Sequence, residues 1–432
     1  MSLKIKIVGV GDEELTRKID IVNIREYIEE RDSEEVEEME RQCEFGQQQH
    51  SHGHGHAQPS LITHLLGDPF ARIRHFPTRI MMVAESGGEI VGVIRGGIKT
   101  VSKGNKVGND LPVYVNLAYI LGLRVSPIHR QKGIATKLIK KLEEWCKGKG
   151  AEYVYMMTDC ANEASIKLFT YKFNYTKFCS PTVLVQPVHA HRKPVNSGTA
   201  IVRIPRLLAE SLYRRIFAKS ELFPKDIDSI LSSKLHLGTF LGMPKKYLQK
   251  WDPQKKLLPP CFAIMSVWNT KEVYQLQLKG VSKLTKACCL GSRVLDAHMP
   301  WLKVPSIPNM FKPFGFYFLY GLHMEGKGSL GLMKSLCNFA HNMARDDVAC
   351  AAVVAEVAQW DPVSEAIPHW KRFSWSEDLW CMKKLIKKVP EKQGGDVDVD
   401  VDVDVDVDDS KPLDWVTSAS SSSMLFVDPR DF

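Results

Sequence analysis

The chain has 432 residues, of which 44% are hydrophobic and 25% are charged, and its formal net charge is +8. A chain of this length and composition is expected to fold into two or three globular domains. No apolar run is long enough to cross a bilayer, and the N-terminus has too short an apolar core for a signal peptide, which argues against a membrane or secreted protein.

The cysteines and the basic residues further limit the cofactors and partners that can be expected. The ten cysteines show no Cys-x-x-Cys spacing, so we expect reduced thiols, with neither a metal nor a redox cofactor. The excess of basic residues suits an anionic cofactor or partner, although an ordinary solvated surface would give the same charge.

The first sixty residues combine two short predicted elements with two segments that lack a regular pattern. Residues 1–20 are predicted to be an extension. Alternation over 21–27 predicts a strand, and a Glu-rich helix follows over 34–44. The acidic face of this helix could meet a cationic substrate, or it could simply be solvated. The Gln-, His- and Gly-rich stretch 46–60 predicts a disordered loop rather than a metal site, because alternate histidines alone do not fix a coordination geometry.

The segment up to residue 185 alternates between strands and helices. It predicts a β-hairpin, a long apolar strand, a loop, an amphipathic helix, a strand, a short helix and a returning strand. The predicted bounds are 80–85 and 89–95 for the hairpin, 117–125 for the central strand, 132–148 for the amphipathic helix, 151–158 for the next strand, 162–172 for the short helix and 175–185 for the last strand.

The loop between the central strand and the amphipathic helix carries the clearest chemical signal. Backbone N–H groups at a helix N-terminus are free to bind an anion, and the helix dipole favours a phosphate there. Gly133 allows a ligand to approach the backbone closely, and Arg130 and Lys132 add positive charge. The spacing Arg130-x-x-Gly133-x-Ala135 lacks the Lys-Ser/Thr of a Walker loop and the three glycines of a dinucleotide-binding loop. The loop therefore predicts a phosphate-binding site of another kind.

This spacing resembles motif A of the GCN5-related N-acetyltransferases (GNAT), Arg/Gln-x-x-Gly-x-Gly/Ala, and the order of elements resembles that fold. A second segment, Asn162-x-x-Ser165 followed by Phe169 and Tyr175, resembles the Asn-x-x-Ala, Leu-Tyr and Gly-Phe signature of the family. The resemblance implies an α/β (α+β) fold with a mixed central sheet flanked by helices. The sequence departs from the family signature at two positions. Phe169 stands in place of the tyrosine that is often credited with protonating the leaving thiolate, and Asn174 stands in place of the usual glycine.

The same resemblance implies acetyl-CoA as the co-substrate. The end of the central strand would bind the pantetheine arm and the acetyl carbonyl, and the loop with the first helical turn would bind the pyrophosphate. The predicted cofactor-binding residues are Leu123, Arg124, Val125, Arg130, Gln131, Lys132, Gly133, Ile134, Ala135, Thr136, Asn162 and Phe169.

The second half repeats the order of elements of the first half. A hairpin is predicted over 262–269 and 273–278, and the strand 316–322 resembles the central strand. A helix over 329–344 and a strand over 348–356 follow at matching distances, and a helix near 361–370 and a last strand over 379–385 complete the half. We therefore expect two tandem GNAT-like domains, with an unrelated α+β domain as the alternative. Gly326-Lys-Gly stands in place of the phosphate loop without an Arg or Gln at the first motif position, so we expect the second copy to be degenerate.

The predicted division of the chain has five parts. They are an extension over 1–20, a GNAT domain over 21–185, a degenerate GNAT-like domain over 199–390, an acidic Asp-Val linker over 391–411 and a tail over 412–432 that is apolar enough to dock onto a domain.

Several segments narrow the resemblance to the plant Hookless-type N-acetyltransferases. They are Gly67-Asp68-Pro69, 121–127, 223–229, 367–371, 378–383 and the final Phe-Val-Asp-Pro-Arg. This resemblance implies a regulator of differential cell growth that links ethylene, auxin and light responses in apical hook formation. It implies acetyl transfer to an amine, with histones or other proteins as candidate acceptors, in the nucleus or the cytoplasm. We find no motif for direct binding of nucleic acid and expect no membrane partner.

Acetyl transfer requires removal of a proton from the acceptor, because a lysine amine has an unperturbed pKa of about 10.4. The central strand carries no Asp or Glu, so Asp159 at the end of the next strand is the first candidate base and Glu85 the second, although each could be structural. Tyr171 is a candidate proton donor to the departing thiol, which could also leave as a thiolate. The chain can thus be interpreted as an acetyl-CoA-dependent N-acetyltransferase, or as a non-catalytic regulator or scaffold with the same fold.

Overall fold

The computed structural model describes residues 22–48, 60–104, 112–255, 257–374, 378–385, 415 and 424–432. The predicted N-terminal extension, most of the His-rich stretch and the acidic linker lie outside these residues. Among the described residues, no helix is both long and apolar enough to cross a bilayer.

The elements of the chain fall into two halves. In the first half they are β1 (Asn23–Glu26), α1 (Glu29–Gln48), β2 (Ser60–His64), β3 (Thr78–Ser86), β4 (Glu89–Lys103), β5 (Tyr114–Val125), α2 (Ile134–Gly148), β6 (Tyr153–Asp159), α3 (Glu163–Lys167), β7 (Thr176–Cys179) and β8 (Thr182–Pro187). In the second half they are β9 (Thr199–Ile204), α4 (Arg206–Ile216), β10 (Glu221–Pro224), α5 (Ile227–Ser232), β11 (His236–Pro244), α6 (Lys245–Leu248), β12 (Phe262–Asn269), β13 (Gln275–Lys279), α7 (Lys283–His298), β14 (Gly315–Glu325), α8 (Ser329–Arg345), β15 (Cys350–Val357) and β16 (Asp378–Lys384).

Two large mixed sheets have a similar strand topology. The first has the order β1-β3-β4-β5-β6-β16-β7, with β10 paired to β4, and the second has the order β8-β15-β14-β12-β11-β9. Each sheet contains one parallel pair, β5 with β6 in the first and β14 with β15 in the second. The helix that follows the central strand, α2 or α8, packs its apolar face on its own sheet. This confirms the predicted fold class of two tandem GNAT-like units.

The two halves exchange one strand each. β8 pairs with β15 in the second sheet, whereas β16 lies between β6 and β7 in the first. The predicted strand 175–185 is therefore two strands that belong to different sheets, and the last strand of the predicted second domain completes the first sheet. A pattern of alternating or apolar residues identifies a buried strand but not the sheet that it joins, so the predicted domain boundaries miss this exchange.

Three further elements differ from prediction. Helix α1 begins at Glu29, because the Asp32 side chain accepts a hydrogen bond from Ile28 N at 2.8 Å and stabilises an earlier turn. β13 pairs with β2 instead of forming a hairpin with β12, so a separate two-stranded sheet connects the halves. The helix predicted over 361–370 is only a 3-10 helix, Pro362–Ala366.

The segment 424–432 is fixed by buried charges between the halves. Lys99 Nζ contacts Asp428 Oδ2 at 3.2 Å and Asp431 Oδ1 at 2.6 Å. Arg430 binds Asp428 at 2.7 Å and Asp226 at 2.6 Å. The tail therefore docks through an ion network together with apolar side chains such as Phe426, which is 1% exposed.

Candidate active site

A cleft opens in the first sheet where β5 and β6 stop pairing. Their parallel ladder runs from Leu117 opposite Tyr153 to Ile120 opposite Met156, while the strands continue to Val125 and Asp159. Beyond Ile120, β5 therefore has backbone groups that β6 does not satisfy. The opening coincides with a bulge between β4 and β5, where Gly122 has a φ of +62°.

The predicted phosphate loop follows directly after the unpaired end of β5. Gln131 and Gly133 have φ angles of +63° and +79°, and Gly133 is the N-terminal cap of α2. Among the described residues, no hydrogen-bond acceptor is found for the backbone amides of 131–136. Arg130, Lys132 and Gly133 are exposed, and a Cβ at Gly133 would meet no atom within 4 Å. Free amides, a helix N-terminus and two cations form a cradle that fits a pyrophosphate.

The cleft itself has a volume of about 690 Å³ and is built by both halves of the chain. The first half contributes Leu121, Gly122, Arg124, Asp159 and Asn162. The second half and the tail contribute Glu356, Asp378 and Asp431.

A second cleft, of about 650 Å³, lies between α1 and the β2–β13 sheet. It shares Arg72, Gly122 and Arg124 with the first cleft, so the two clefts meet at the bulge of β5. The wall formed by α1 carries four glutamates, namely Glu34, Glu37, Glu38 and Glu40.

Two of these four glutamates are neutralised within the protein. Glu40 binds Arg95 at 2.7 Å, and Glu38 binds Arg41 on the next turn of α1. Glu34 and Glu37 have no charged partner among the described residues. The α1 wall therefore presents two free carboxylates to the second cleft.

The structure brings most of the predicted cofactor residues together. Leu123, Arg124 and Val125 lie on the unpaired end of β5, and the residues of the loop and the first turn of α2 follow directly. Asn162 lines the first cleft and also caps α3, since its Oδ1 accepts a hydrogen bond from Ser165 N at 3.2 Å.

Phe169 does not lie at the cleft. It is 1% exposed and packs in the core against Phe173 and Tyr175, with ring centroids 6.4 and 5.1 Å away. It belongs to the π-helix Leu168–Lys172, which continues α3. The structure thus places this predicted cofactor contact in the hydrophobic core rather than in the wall of the cleft.

Of the three predicted catalytic residues, only Asp159 lines the cleft. Glu85 lies near the end of β3, where it is bound by Arg25 Nε at 2.8 Å, and it lines neither cleft. Tyr171 is 81% exposed on the outer side of the π-helix and also lines neither cleft. Glu85 is therefore an ion-pair residue and Tyr171 a surface residue. The sequence did not predict this, because a local pattern does not reveal the direction in which a side chain points.

Sequence reasoning missed the carboxylates that the second half supplies. Asp378 on β16 lies directly opposite Asp159 on β6. Glu356 on β15 is 3% exposed, and its Oε1 accepts a hydrogen bond from Trp380 Nε1 at 3.2 Å. Burial, reinforced by the charges of Asp378 and Asp431, raises the pKa of Glu356 well above the usual range. No local signal could have found these residues, because Asp378 reaches the cleft through the exchanged strand β16 and Glu356 through the packing of the two halves.

The second half has the same bulge, but its described residues leave only a small cavity there. Gly321 has a φ of +60° where β14 and β15 separate after Leu319 and Ala355. A Cβ at Gly326 would lie 2.2 Å from the Pro260 carbonyl oxygen, and Phe426 and Val427 line a remaining cavity of only about 20 Å³. Tail residues and a tight loop thus occupy the place that a cofactor would need.

Comparisons with known proteins agree with this geometry. Residues 35–175 match the model of the Acetyltransferase (GNAT) family. The chain is 44% identical to the Probable N-acetyltransferase HLS1 of Arabidopsis thaliana, over 95% of this chain and 99% of that protein. It is 38% identical to the Acetyl transferase GW6a of Oryza sativa subsp. japonica, over 95% of this chain and 98% of that protein.

One solved structure to which the chain is similar is a tandem GNAT protein from the clavulanic acid biosynthesis pathway. It is 11% identical, with a TM-score of 0.42, and the match covers 85% of this chain and 100% of that chain.

The fold and the phosphate loop define an acetyltransferase of the GNAT class, with acetyl-CoA as its co-substrate. Within that class, the chain belongs to the Hookless-type N-acetyltransferases, to which nearly its whole length is similar.

Proposed function

We propose that the protein transfers the acetyl group of acetyl-CoA to a lysine amine in a cationic protein segment such as a histone tail. The observation that carries this proposal is the meeting of the two clefts at Gly122 and Arg124. One cleft is lined by the end of β5, which continues into the phosphate loop, and the other is lined by the acidic wall of α1. Two substrates can therefore approach one point from different sides.

On the cofactor side, the loop residues 131–136 hold the pyrophosphate, and Arg130 and Lys132 reinforce it. The unpaired backbone of β5 beyond Ile120 lies along the path from this loop to Gly122. Backbone N–H groups aimed at a developing oxyanion are an effective way to stabilise acyl transfer, since they require no reorganisation during the reaction.

On the acceptor side, Glu34 and Glu37 attract a positively charged segment along α1, while Arg72, Arg124 and Lys279 line other parts of the same cleft. The second cleft is open to solvent along α1 and is large enough for more than one side chain. The free carboxylates therefore favour a lysine that is flanked by further basic residues over an isolated small amine.

We further propose that this activity acts in the nucleus, in a growth response of the kind that the Hookless resemblance implies, linking ethylene, auxin and light in apical hook formation. The similarity over nearly the whole chain supports this role. Plants that lack the protein should open the apical hook, and a Gly133→Glu transgene should fail to restore it while the wild type restores it.

The acceptor is tested by measuring acetyl transfer from labelled acetyl-CoA to a histone-tail peptide and to a peptide of equal length with a single lysine. The wild type should prefer the basic peptide. In Glu34→Gln/Glu37→Gln the KM for that peptide should rise about tenfold, equivalent to about 1.4 kcal/mol, with kcat unchanged.

Glu144→Gln/Glu325→Gln is the matched control, because both glutamates are exposed and line neither cleft. Equal KM changes in the two double variants, or equal use of the two peptides by the wild type, would contradict the acceptor assignment.

A further inference from the structure

Glu356 of the second half is the structural counterpart of a residue in the first half. Leu319 pairs with Ala355 in the second half as Ile120 pairs with Met156 in the first, so Glu356 is the counterpart of Met157. Both side chains line the same cleft. The second half thus places a carboxyl group in the active-site cleft at the position where the first half has a thioether.

The two oxygens of this carboxyl group have different surroundings. Oε1 accepts the hydrogen bond from Trp380 Nε1. For Oε2, the described residues provide no hydrogen-bond partner, although the whole residue is only 3% exposed and lines the cleft. A carboxylate that is largely removed from water is stabilised when a cationic ligand binds it.

The groups that face Glu356 come from several elements. Asp378 of β16 and Asp431 of the tail are the nearby carboxylates, with Tyr119 of β5 and Cys179 of β7 close enough to be affected by its charge. The cation of Lys99 is engaged by Asp428 and Asp431. Arg72 and Arg124 line the same cleft.

We propose that Glu356, together with Asp159 and Asp378, binds the ammonium group of the acceptor, and that Glu356 Oε2 takes its proton. The inference rests on the proposed transfer to an amine and identifies the residue that makes the amine reactive. The second half thereby completes the active site of the first.

The proton balance supports this role. An alkylammonium group gives one proton to Glu356, and the neutral nitrogen then forms a bond to the thioester carbonyl carbon. When the C–S bond breaks, the sulfur leaves with the bonding pair, and the second nitrogen proton passes to it to form the thiol. Glu356 returns the first proton to solvent. A base works best when its pKa lies near the working pH, and burial moves Glu356 in that direction.

The test compares Glu356→Gln with Glu356→Asp and with Glu365→Gln, an exposed residue that lines neither cleft. Gln keeps an acceptor oxygen for Trp380, so the fold should survive. We expect kcat of Glu356→Gln to fall about a hundredfold or more, with acetyl-CoA binding by calorimetry within twofold of the wild type. Glu356→Asp should recover part of kcat, and Glu365→Gln should match the wild type.

The pH profile separates a proton acceptor from a structural residue. In the wild type, kcat should level off above the pKa of Glu356, whereas in Glu356→Gln it should keep rising about tenfold per pH unit, because the free amine must then form without help. A Glu356→Gln enzyme with the wild-type kcat and pH profile would overturn the inference alone. A wild type that binds acetyl-CoA but acetylates no amine would overturn the proposed function as well.

Discussion

Gly122 and Gly321 adopt φ angles of +62° and +60° at the same point of the two halves, where the central strand bulges. At Gly122 a Cβ would lie 2.6 Å from Arg95 Nη1, an atom that is held by Glu40. This glycine therefore fixes the strand opening and also leaves room for the ion pair that joins α1 to β4.

We expect Gly122→Ala to destabilise the protein by about 1 kcal/mol from left-handed strain, and by more because the buried Arg95–Glu40 pair must move. Gly87→Ala is the control, since Gly87 has a φ of +61° but nothing within 4 Å of its Cβ. Denaturant unfolding measures both variants. Equal losses of unfolding free energy would show that the contact with Arg95 does not matter.

Residue positions were predictable where the signal is local. The loop from Arg130 to Thr136 and the place of Asp159 follow from a strand, a glycine and a helix that are adjacent in sequence. Glu85 and Tyr171 lie away from the clefts. This could not be predicted, because strand and helix patterns do not fix the direction in which these side chains point. Glu356 carried no sequence signal, since its role depends on a partner half of the chain.

At the scale of elements, α8 is tied to the segment after β8 by buried histidines. His341 Nε2 accepts a hydrogen bond from His189 N at 2.9 Å, and the two rings lie 5.6 Å apart. Burial lowers the pKa of His189 to about 4 and that of His341 to about 3. Both rings are therefore neutral in the folded protein at neutral pH.

This cluster predicts a loss of stability in mild acid. Unfolded histidines bind protons below about pH 6.5, whereas the folded ones do so only near pH 4 and pH 3. The unfolded state thus gains more protons as the pH falls from about 6.5 to 4, and stability falls across that window. At pH 5 the loss should be about 2 kcal/mol for each histidine.

His341→Gln removes one of these groups while its amide oxygen can still accept the bond from His189. Thermal unfolding at pH 7 and pH 5 should show a smaller drop in Tm for His341→Gln than for the wild type. His298→Gln, at an exposed histidine, should behave like the wild type. A drop in His341→Gln as large as that of the wild type would rule out the cluster as the source.

At the scale of the whole molecule, the exchange of β8 and β16 binds the halves into one structure. The repeat of elements predicted two similar units, because each unit has its own local pattern. The exchange was not predictable, since both sheets accept the same kind of apolar strand and the choice depends on tertiary packing. The docked tail strengthens this connection through Lys99 and Arg430.

The exchange predicts a single unfolding transition for both halves. Trp380 of β16 is 1% exposed, and Trp380→Ala should lower stability by about 3–5 kcal/mol and shift that single transition in scanning calorimetry. Trp301→Ala, at a side chain 70% exposed, should shift it little. Two transitions, of which only one moves in Trp380→Ala, would mean that the halves unfold independently.

The measurement that tests the central claim most directly is calorimetric titration of the wild type, Gly133→Glu and Gly148→Glu with acetyl-CoA. Gly133 is the exposed cap of α2 in the phosphate loop, and Gly148 is an exposed glycine at the other end of that helix. We predict that the wild type and Gly148→Glu bind alike. Gly133→Glu should stay folded and lose only the roughly 1 kcal/mol that a non-glycine residue costs at a φ of +79°. It should bind about a hundredfold more weakly or not at all, because its carboxylate repels the pyrophosphate. Binding by Gly133→Glu within a few-fold of the wild type, or no binding by a well-folded wild type, would contradict the account.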